Sequence, residues 1–180
     1  MNLGELVAVA DPFDEAVDRV LDRVRGGPAD RVAYALSEAA NHSILWHVLG
    51  TISASLPGGG GRRAITEQSV VLGIESALVN GPVKSAFRRP RPEGRDHAHQ
   101  LRQPKTSSFP SGHATSAFTA AALLTRRRPG LRPAWYVLAA AVASTRAWVG
   151  IHHASDVIGG VLVGLGLGKL ATSILHRLDA

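Results

Sequence analysis

Long apolar stretches, separated by short loops rich in glycine, proline and arginine, run through most of the chain. In the first stretch, residues 13–25, the apolar positions recur at helical spacing among acids and arginines: Phe13, Val17, Val20, Leu21 and Val24. This pattern predicts an amphipathic helix that packs on the domain or lies on a membrane surface, and the Gly-Gly-Pro at 26–28 ends it. We therefore expect residues 1–31 to form an N-terminal amphipathic helix with its linker, followed by one helical domain over 32–180.

Five further helices are predicted in that domain. The periodic segments are 32–56, 64–86, 111–126, 134–149 and 155–175. Loops rich in glycine, proline or arginine separate them at 57–61 and 126–133. A basic, proline-rich segment without periodicity covers 87–110. No segment shows the alternation of apolar and polar residues that is typical of a β-strand, so we expect an all-α fold.

Two of these helices approach the length of a membrane span. A span takes about 20 mostly apolar residues, and 134–151 and 157–175 come close. The run VIGGVLVGLGLGKL adds glycines that allow tight helix contacts. We expect a membrane-embedded antiparallel bundle with about five spans. The alternative is a soluble bundle of very apolar helices, because the mean hydropathy is only +0.06.

Charge and cysteine content narrow the range of partners. The 180 residues carry a net charge of +6 and include no cysteine, which excludes disulfides and thiolate metal sites. A basic chain can bind nucleic acid, an anionic membrane surface or a phosphorylated substrate. Its basic residues are not interleaved with aromatic ones, so we expect no nucleic-acid partner. The oligomeric state is left open.

The stretch 108–118, SFPSGHATSAF, places a serine, a glycine and a histidine at the mouth of an apolar helix. Ser111 is a good N-cap candidate, since its hydroxyl can accept a hydrogen bond from a free backbone N–H. Such a helix end also attracts anions. Taken alone, the stretch is more typical of a capped helix than of a catalytic site.

Two further polar clusters change that interpretation. Lys84, Arg91 and Pro92 lie at the end of the helix over 64–86, and Arg146, His152 and Asp156 surround the joint between the last two helices. In an antiparallel bundle with short loops, these clusters and the helix start at Ser111 fall at the same end. Cationic side chains balance the charge of phosphate oxygens, and free N–H groups donate hydrogen bonds to those oxygens. Histidines can attack phosphorus and transfer protons. The three clusters together therefore predict a phosphate site.

Each of these residues also has an ordinary structural interpretation. Lys84 can be an interfacial anchor, Arg146 can pair with Glu75 inside the bundle, and His152 can be a satisfied core histidine. The spacing of His152 and Asp156 favours function, because residues four apart share a helix face. An aspartate there can hold one imidazole nitrogen and leave the other as a nucleophile.

The three motifs KSAFRRPRP, PSGH and TRAWVGIHHASD resemble those of the type 2 phosphatidic acid phosphatase family, which shares its site with the vanadium haloperoxidases. The family pattern is Lys, six residues, Arg-Pro; then Pro-Ser-Gly-His; then Ser-Arg, five residues, His, three residues, Asp. Two positions depart from it. Thr145 stands where serine is usual, which keeps a hydroxyl. His153 stands where an aromatic residue is more usual, and it can perturb His152.

The resemblance implies a substrate-binding set of five residues. By the family pattern, Lys84, Arg91 and Arg146 hold the phosphoryl oxygens, and Ser111 and the Gly112 amide add hydrogen bonds. No metal and no other cofactor is expected.

The resemblance also implies three catalytic residues. His152 attacks phosphorus and forms a phosphohistidine, and Asp156 orients it. His113 protonates the leaving oxygen and then activates water. Three arginines outside the motif are expected on a solvated face or against lipid headgroups: Arg88, Arg89 and Arg95.

The family implies a membrane lipid phosphatase acting on a phosphomonoester or diphosphate, either of the polyprenyl type, such as decaprenylphosphoryl-phosphoribose, or of phosphatidate. The alternatives are a vanadium-dependent haloperoxidase, for which the chain is short, and a lipid-binding membrane protein without activity. The loops GGGGRR and RRRPGLR, at the end away from the predicted site, are short and basic. The positive-inside rule therefore favours a cell-membrane protein with its active site on the extracytoplasmic face.

Overall fold

The computed structural model describes residues 3–92 and 106–180, with side chains from residue 10 onward. These residues form eight α-helices and no strand, which confirms the all-α prediction. The helices are α1 Leu3–Asp22, α2 Pro28–Ala39, α3 Ile44–Ser55, α4 Gly61–Leu78, α5 Lys84–Phe87, α6 Gly112–Arg127, α7 Arg132–Trp148 and α8 Ala154–Asp179.

The predicted helix over 32–56 is wrong in one respect, because the chain breaks between α2 and α3. A short 3₁₀ turn covers Asn41–Ser43, and both His42 (φ 52°) and Ser43 (φ 60°) adopt left-handed backbone conformations. Neither glycine nor proline marks this break. The Asn41 Oδ1 atom lies 3.0 Å from His113 Nε2 on α6, so a contact distant in sequence accompanies the break.

The predicted helix over 64–86 is also interrupted. Helix α4 ends at Leu78, a wide π turn covers Val79–Val83, and the short α5 begins at Lys84. Pro82 lies in that turn, and proline removes a backbone donor and clashes with the carbonyl four residues earlier. Gly81, with φ −91° and ψ −106°, takes up the change of direction. The turn brings Lys84 to the end of the bundle.

Helix α6 lies at the centre, in contact with α3, α4, α7 and α8. Small residues dominate its sequence, so neighbouring backbones can approach closely. Four of its alanines are fully buried: Ala114, Ala117, Ala120 and Ala121. Larger side chains from the surrounding helices complete the core, including Trp46, Leu72 and Val142.

A line of buried glycines allows α8 to approach α6. Gly160, Gly164 and Gly168 recur every four residues along one face of α8. A Cβ atom added at Gly164 would lie 2.6 Å from the Thr115 carbonyl oxygen, and one at Gly160 would lie 2.5 Å from that of Ser111. Such distances leave no room for a side chain in a close-packed interior. The tight helix contact predicted from the glycine run is confirmed.

We expect Gly164→Ala to lower the stability of the protein, whereas Gly166→Ala leaves it unchanged or raises it. The new methyl group at position 164 meets backbone, and overpacking of this kind costs about 1–3 kcal/mol. Gly166 lies on the same helix with nothing within 4 Å of an added Cβ, and alanine is better than glycine in a helix by about 0.5–1 kcal/mol. Thermal unfolding in detergent measures both variants. Equal midpoints would contradict the tight contact.

The helices alternate in direction, and two loops meet at the end where α6 finishes. Arg128, which follows α6, donates to the carbonyl oxygens of Pro57 (2.8 Å) and Ser53 (3.0 Å). Arg126 pairs with Glu67 near the start of α4 at 2.9 Å. The start of α6, the turn after α4 and the joint between α7 and α8 therefore lie together at the opposite end.

Large apolar side chains point outward from several helices while charged ones are buried. Ile74, Val137 and Leu162 are each more than 60% exposed, whereas Glu75 and Lys84 are nearly inaccessible. This distribution suits lipid surroundings, where polar groups must be satisfied inside the bundle. Among the described helices, α8 has 26 residues and contains an 18-residue stretch with a mean hydropathy of 1.7, which gives it the length and composition of a membrane span.

Candidate active site

Three segments converge at the end where α6 begins. The Ser111 amide donates to the Asp156 carbonyl oxygen at 3.0 Å, which joins the start of α6 to the start of α8. Arg91, in the segment after α5, donates from Nη1 to the Ile151 carbonyl oxygen at 2.8 Å. The structure therefore brings together all three clusters that the sequence analysis assigned to one end.

His152 lies between Arg91 and Asp156 in the joint between α7 and α8. Its side chain is 3% exposed. Its Nε2 atom lies 3.2 Å from Arg91 Nη1, and its Nδ1 atom lies 3.7 Å from Asp156 Oδ2. The second distance is an ion-pair distance and is too long for a hydrogen bond. With its proton on Nδ1, towards Asp156, the ring presents the Nε2 lone pair to the cations.

The pKa of His152 is lowered to about 4, from an ordinary 6.5. Burial is the largest cause, and the positive charges of Arg91 and Arg146 act in the same direction, while Asp156 opposes them. A buried imidazole surrounded by cations resists protonation. At neutral pH His152 is therefore uncharged, which is the form that can attack.

Arg146 and Lys84 bring two further positive charges to the same place. Both are buried, at 4% and 6% exposure. Arg146 Nη1 donates to the buried Ser37 hydroxyl of α2, while its Nε has no hydrogen-bond partner among the described residues. Lys84 Nζ would lie 3.9 Å from a Cβ atom added at Gly112, so the ammonium lies beside the start of α6. Buried cations grouped in this way favour an anionic ligand.

The start of α6 has the capping geometry expected from the sequence. Ser111 adopts an extended conformation, and its buried hydroxyl accepts a long hydrogen bond, 3.5 Å, from the Ala114 amide. Gly112 is the first helical residue and is only half-buried. The N–H groups of the first turn point outward at a helix N-terminus, which favours negative charge there.

His113 follows in that first turn and contacts a residue that sequence reasoning missed. Its Nε2 atom lies 3.0 Å from Asn41 Oδ1 in the break between α2 and α3. The ring is also within electrostatic range of Lys84, Arg146 and His152. In the sequence, Asn41 is marked only as one of the polar residues that interrupt the apolar helix predicted over 32–56.

One of the arginines assigned to a solvated face or to lipid headgroups is placed differently. Arg89 is 5% exposed and donates from Nη1 to Asp156 Oδ1 at 2.8 Å. The prediction for Arg89 is therefore wrong, because it pairs with the carboxylate behind His152. Arg88 is exposed, as expected. Arg95 lies outside the described residues.

No cluster of three or more histidine, aspartate or glutamate side chains suited to a metal ion occurs in residues 10–92 and 106–180. The cations and the helix end provide the positive charge at this site. The arrangement suits the transfer of a phosphoryl group to a histidine.

The model of the PAP2 superfamily matches residues 66–179, which include all three motifs. The chain belongs to the PAP2 superfamily. Among its relatives, decaprenylphosphoryl-5-phosphoribose phosphatase of Mycobacterium tuberculosis is 36% identical over 146 residues, covering 79% of this chain and 78% of the relative. Lipid A 1-phosphatase of Rhizobium etli is 36% identical over 115 residues, covering 57% and 47%.

A solved structure shares the fold of this PAP2 protein. The crystal structure of a transmembrane PAP2-type phosphatidylglycerolphosphate phosphatase from Bacillus subtilis superposes with a TM-score of 0.69 at 23% identity. The match covers 94% of this chain and 87% of that one. The family and its lipid-phosphatase relatives establish a membrane-associated phosphoric-ester hydrolase of the lipid phosphatase class, and the solved structure shows its fold.

Proposed function

We propose that the protein hydrolyses the phosphomonoester of a polyprenyl-linked sugar phosphate of the decaprenylphosphoryl-phosphoribose type, through a phosphohistidine on His152. The observation that carries the mechanism is the position of His152 Nε2, 3.2 Å from Arg91 with Asp156 behind the ring. The substrate class is supported by the mycobacterial relative, which matches over most of both chains.

In the first step the Nε2 lone pair of His152 forms a bond to phosphorus, and the bond from phosphorus to the sugar oxygen breaks. The negative charge of the bound phosphomonoester offsets the surrounding cations, so His113 is protonated when substrate is bound and gives that proton to the departing oxygen. Lys84, Arg91 and Arg146 stabilise the negative charge on the equatorial oxygens, as preorganised cations do in a site shielded from water. Asp156 stabilises the positive charge that His152 gains.

In the second step water attacks the phosphohistidine. His113, now neutral, takes a proton from the water, the nitrogen–phosphorus bond breaks, and inorganic phosphate leaves. Asn41 supports both steps by fixing the His113 ring: its Oδ1 accepts from Nε2–H, so the mobile proton is carried on Nδ1. Ser111 and the Gly112 amide hold the phosphoryl oxygens at the helix end.

We expect purified protein in detergent and EDTA to release phosphate from decaprenylphosphoryl-5-phosphoribose with a higher kcat/KM than from phosphatidate or undecaprenyl diphosphate. The cations already present replace a metal, so EDTA leaves the rate unchanged. Free phosphate released in initial-rate assays is the measurement. Preference for phosphatidate would overturn the substrate class, and dependence on an added divalent ion would overturn the metal-free mechanism. Oxidation of bromide by peroxide with vanadate, in a protein without phosphatase activity, would favour the haloperoxidase alternative.

The same proposal places about five spans in the membrane, with the site on the extracytoplasmic face. Helices α6 and α7 pack beside α8, the helix with the length of a span, so they lie at the same depth. The loops at the opposite end are short and basic, and the positive-inside rule places such loops in the cytoplasm.

The absence of native cysteine makes this topology testable in intact cells. Ala86→Cys lies in α5 at the site end, and Gly130→Cys lies in the turn at the other end; both positions are exposed. An impermeant thiol reagent is expected to label Ala86→Cys in intact cells and Gly130→Cys only after lysis. The reverse pattern would place the active site in the cytoplasm.

A further inference from the structure

We propose that Asp14, on the N-terminal helix α1, is a positioning residue for the catalytic pair, acting through Arg89 on Asp156. The inference rests on the nucleophilic role proposed for His152. Asp14 lies outside residues 66–179, the part of the chain that the superfamily model matches. It is 3% exposed, although α1 is amphipathic and most of its described side chains are at least partly exposed.

Arg89 connects the two carboxylates. Its Nη1 atom donates to Asp156 Oδ1 at 2.8 Å and to the Ser155 hydroxyl at 2.6 Å. Its Nη2 atom donates to Asp14 Oδ2 at 2.8 Å and, more weakly, to the half-exposed Asp11 at 3.2 Å. A buried guanidinium that satisfies two buried carboxylates holds both in fixed geometry.

Asp14 also binds the first turn of α8 directly. Its Oδ1 accepts from the Ser155 amide at 2.7 Å, and its Oδ2 accepts from the Ser155 hydroxyl at 2.6 Å. In the same turn, Asp156 Oδ2 accepts from the His153 amide at 2.9 Å. Asp14 therefore neutralises Arg89 and fixes the turn that carries Asp156.

The balance of charge explains why a second carboxylate matters. Without Asp14, the charge of Arg89 would cancel that of Asp156. Asp156 would then stabilise a positively charged His152 imidazole poorly. With Asp14 included, the three side chains carry a net charge of −1 behind His152. That charge opposes Lys84, Arg91 and Arg146, which face His152 from the substrate side. It favours the cationic state that His152 reaches when it binds phosphorus.

Anchoring of α1 is not the whole role of Asp14, because other contacts also hold the N-terminal segment. Arg25 donates to the carbonyl oxygens of Trp148 and Ala147, each at 2.7 Å. The Trp148 indole N–H donates to Asp30 at 2.8 Å. A change at Asp14 that keeps the shape of the side chain therefore leaves these attachments in place.

The test compares full-length Asp14→Asn, which keeps the shape, with Asp14→Glu, which keeps the charge. Glu15→Gln, at an exposed position on the same helix, is the matched control. We expect Asp14→Asn to lower kcat by roughly 10–100-fold, the range known for residues that orient the ligands of a metal, with KM unchanged. Rapid-quench labelling is expected to show phosphohistidine formation slowed by the same factor. Asp14→Glu is expected to retain most of the wild-type rate, even if Asp14→Asn unfolds.

A double-mutant cycle separates positioning from anchoring. If Asp14 acts through the charge of Asp156, then Asp14→Asn has no further effect on labelling in the Asp156→Asn background. The same loss in both backgrounds, or an Asp14→Asn rate equal to that of Glu15→Gln, would overturn the inference. An Asp14→Glu rate as low as that of Asp14→Asn would also overturn it. Failure to label the wild-type protein would instead contradict the phosphohistidine mechanism itself.

Discussion

His152→Ala is expected to abolish the phosphoenzyme completely. No other nitrogen in the described part of the site has the geometry of His152 Nε2, held beside Arg91 with a carboxylate behind the ring. Removal of a nucleophile eliminates the covalent intermediate, whereas removal of a proton donor only slows its formation. The measurement is rapid quench with a labelled, activated aryl phosphate, followed by separation of the protein.

The neighbouring histidine provides the control. His153 begins α8 as its N-cap residue and is half-buried, so His153→Ala tests a similar loss of imidazole one residue away. We expect this variant to form the labelled intermediate, which is stable to base and labile to acid. Label mapped to His153, or label remaining on His152→Ala protein, would reassign the nucleophile.

The decrease of kcat/KM at low pH tests the role of His152 independently. Because burial lowers the pKa of His152 to about 4, its uncharged, nucleophilic form persists as pH falls and is lost only near that value. The acid limb of kcat/KM due to the nucleophile is therefore expected near pH 4. A limb near 6.5 would show that His152 titrates as it does in water, contrary to its burial.

His113→Ala is expected to lose a factor of roughly 10²–10⁴ in rate on the lipid substrate, the usual contribution of a positioned acid or base. The loss is expected to shrink with an aryl phosphate, because a good leaving group needs little protonation. Hydrolysis of the intermediate still needs a base, so this variant is expected to accumulate phosphohistidine. Steady-state rates with both substrates and the yield of labelled protein measure the effect.

Asn41→Leu provides a graded comparison for that experiment. It removes the oxygen 3.0 Å from His113 Nε2 and leaves the imidazole in place. We expect a smaller loss than in His113→Ala, with the same dependence on leaving group. A leaving-group dependence identical to that of the wild type in both variants would exclude proton transfer by His113.

The position of the site could be predicted from the sequence because its motifs lie at helix ends. Antiparallel helices with short loops place alternate ends together, and this places Lys84, Ser111 and His152 at one end. The predicted cap at Ser111 and the tight packing of α8 depend on local sequence alone. Such features need no knowledge of which helix lies beside which.

The supporting residues could not be predicted, because their partners are distant in the chain. Asp14 on an amphipathic helix has the pattern of a solvated acid, and Ser37 and Asn41 look like polar interruptions. Arg89 follows the exposed Arg88 in an arginine-rich segment, and only the packed structure shows it between two carboxylates. The turn at Asn41–Ser43 likewise carries no glycine or proline, so a tertiary contact outweighs the local helical pattern there.

The link between Asp14 and Ser155, 141 residues apart, has a consequence for biosynthesis. Helix α1 is synthesised before the other described helices, whereas its partners on α8 are synthesised after them. A chain that stops before α8 contains Lys84, Arg91 and His113 but lacks Asp156 and the turn that Asp14 binds. We therefore expect the proposed site to be complete only after α8 has docked, and a chain without α8 to release no phosphate from lipid phosphates.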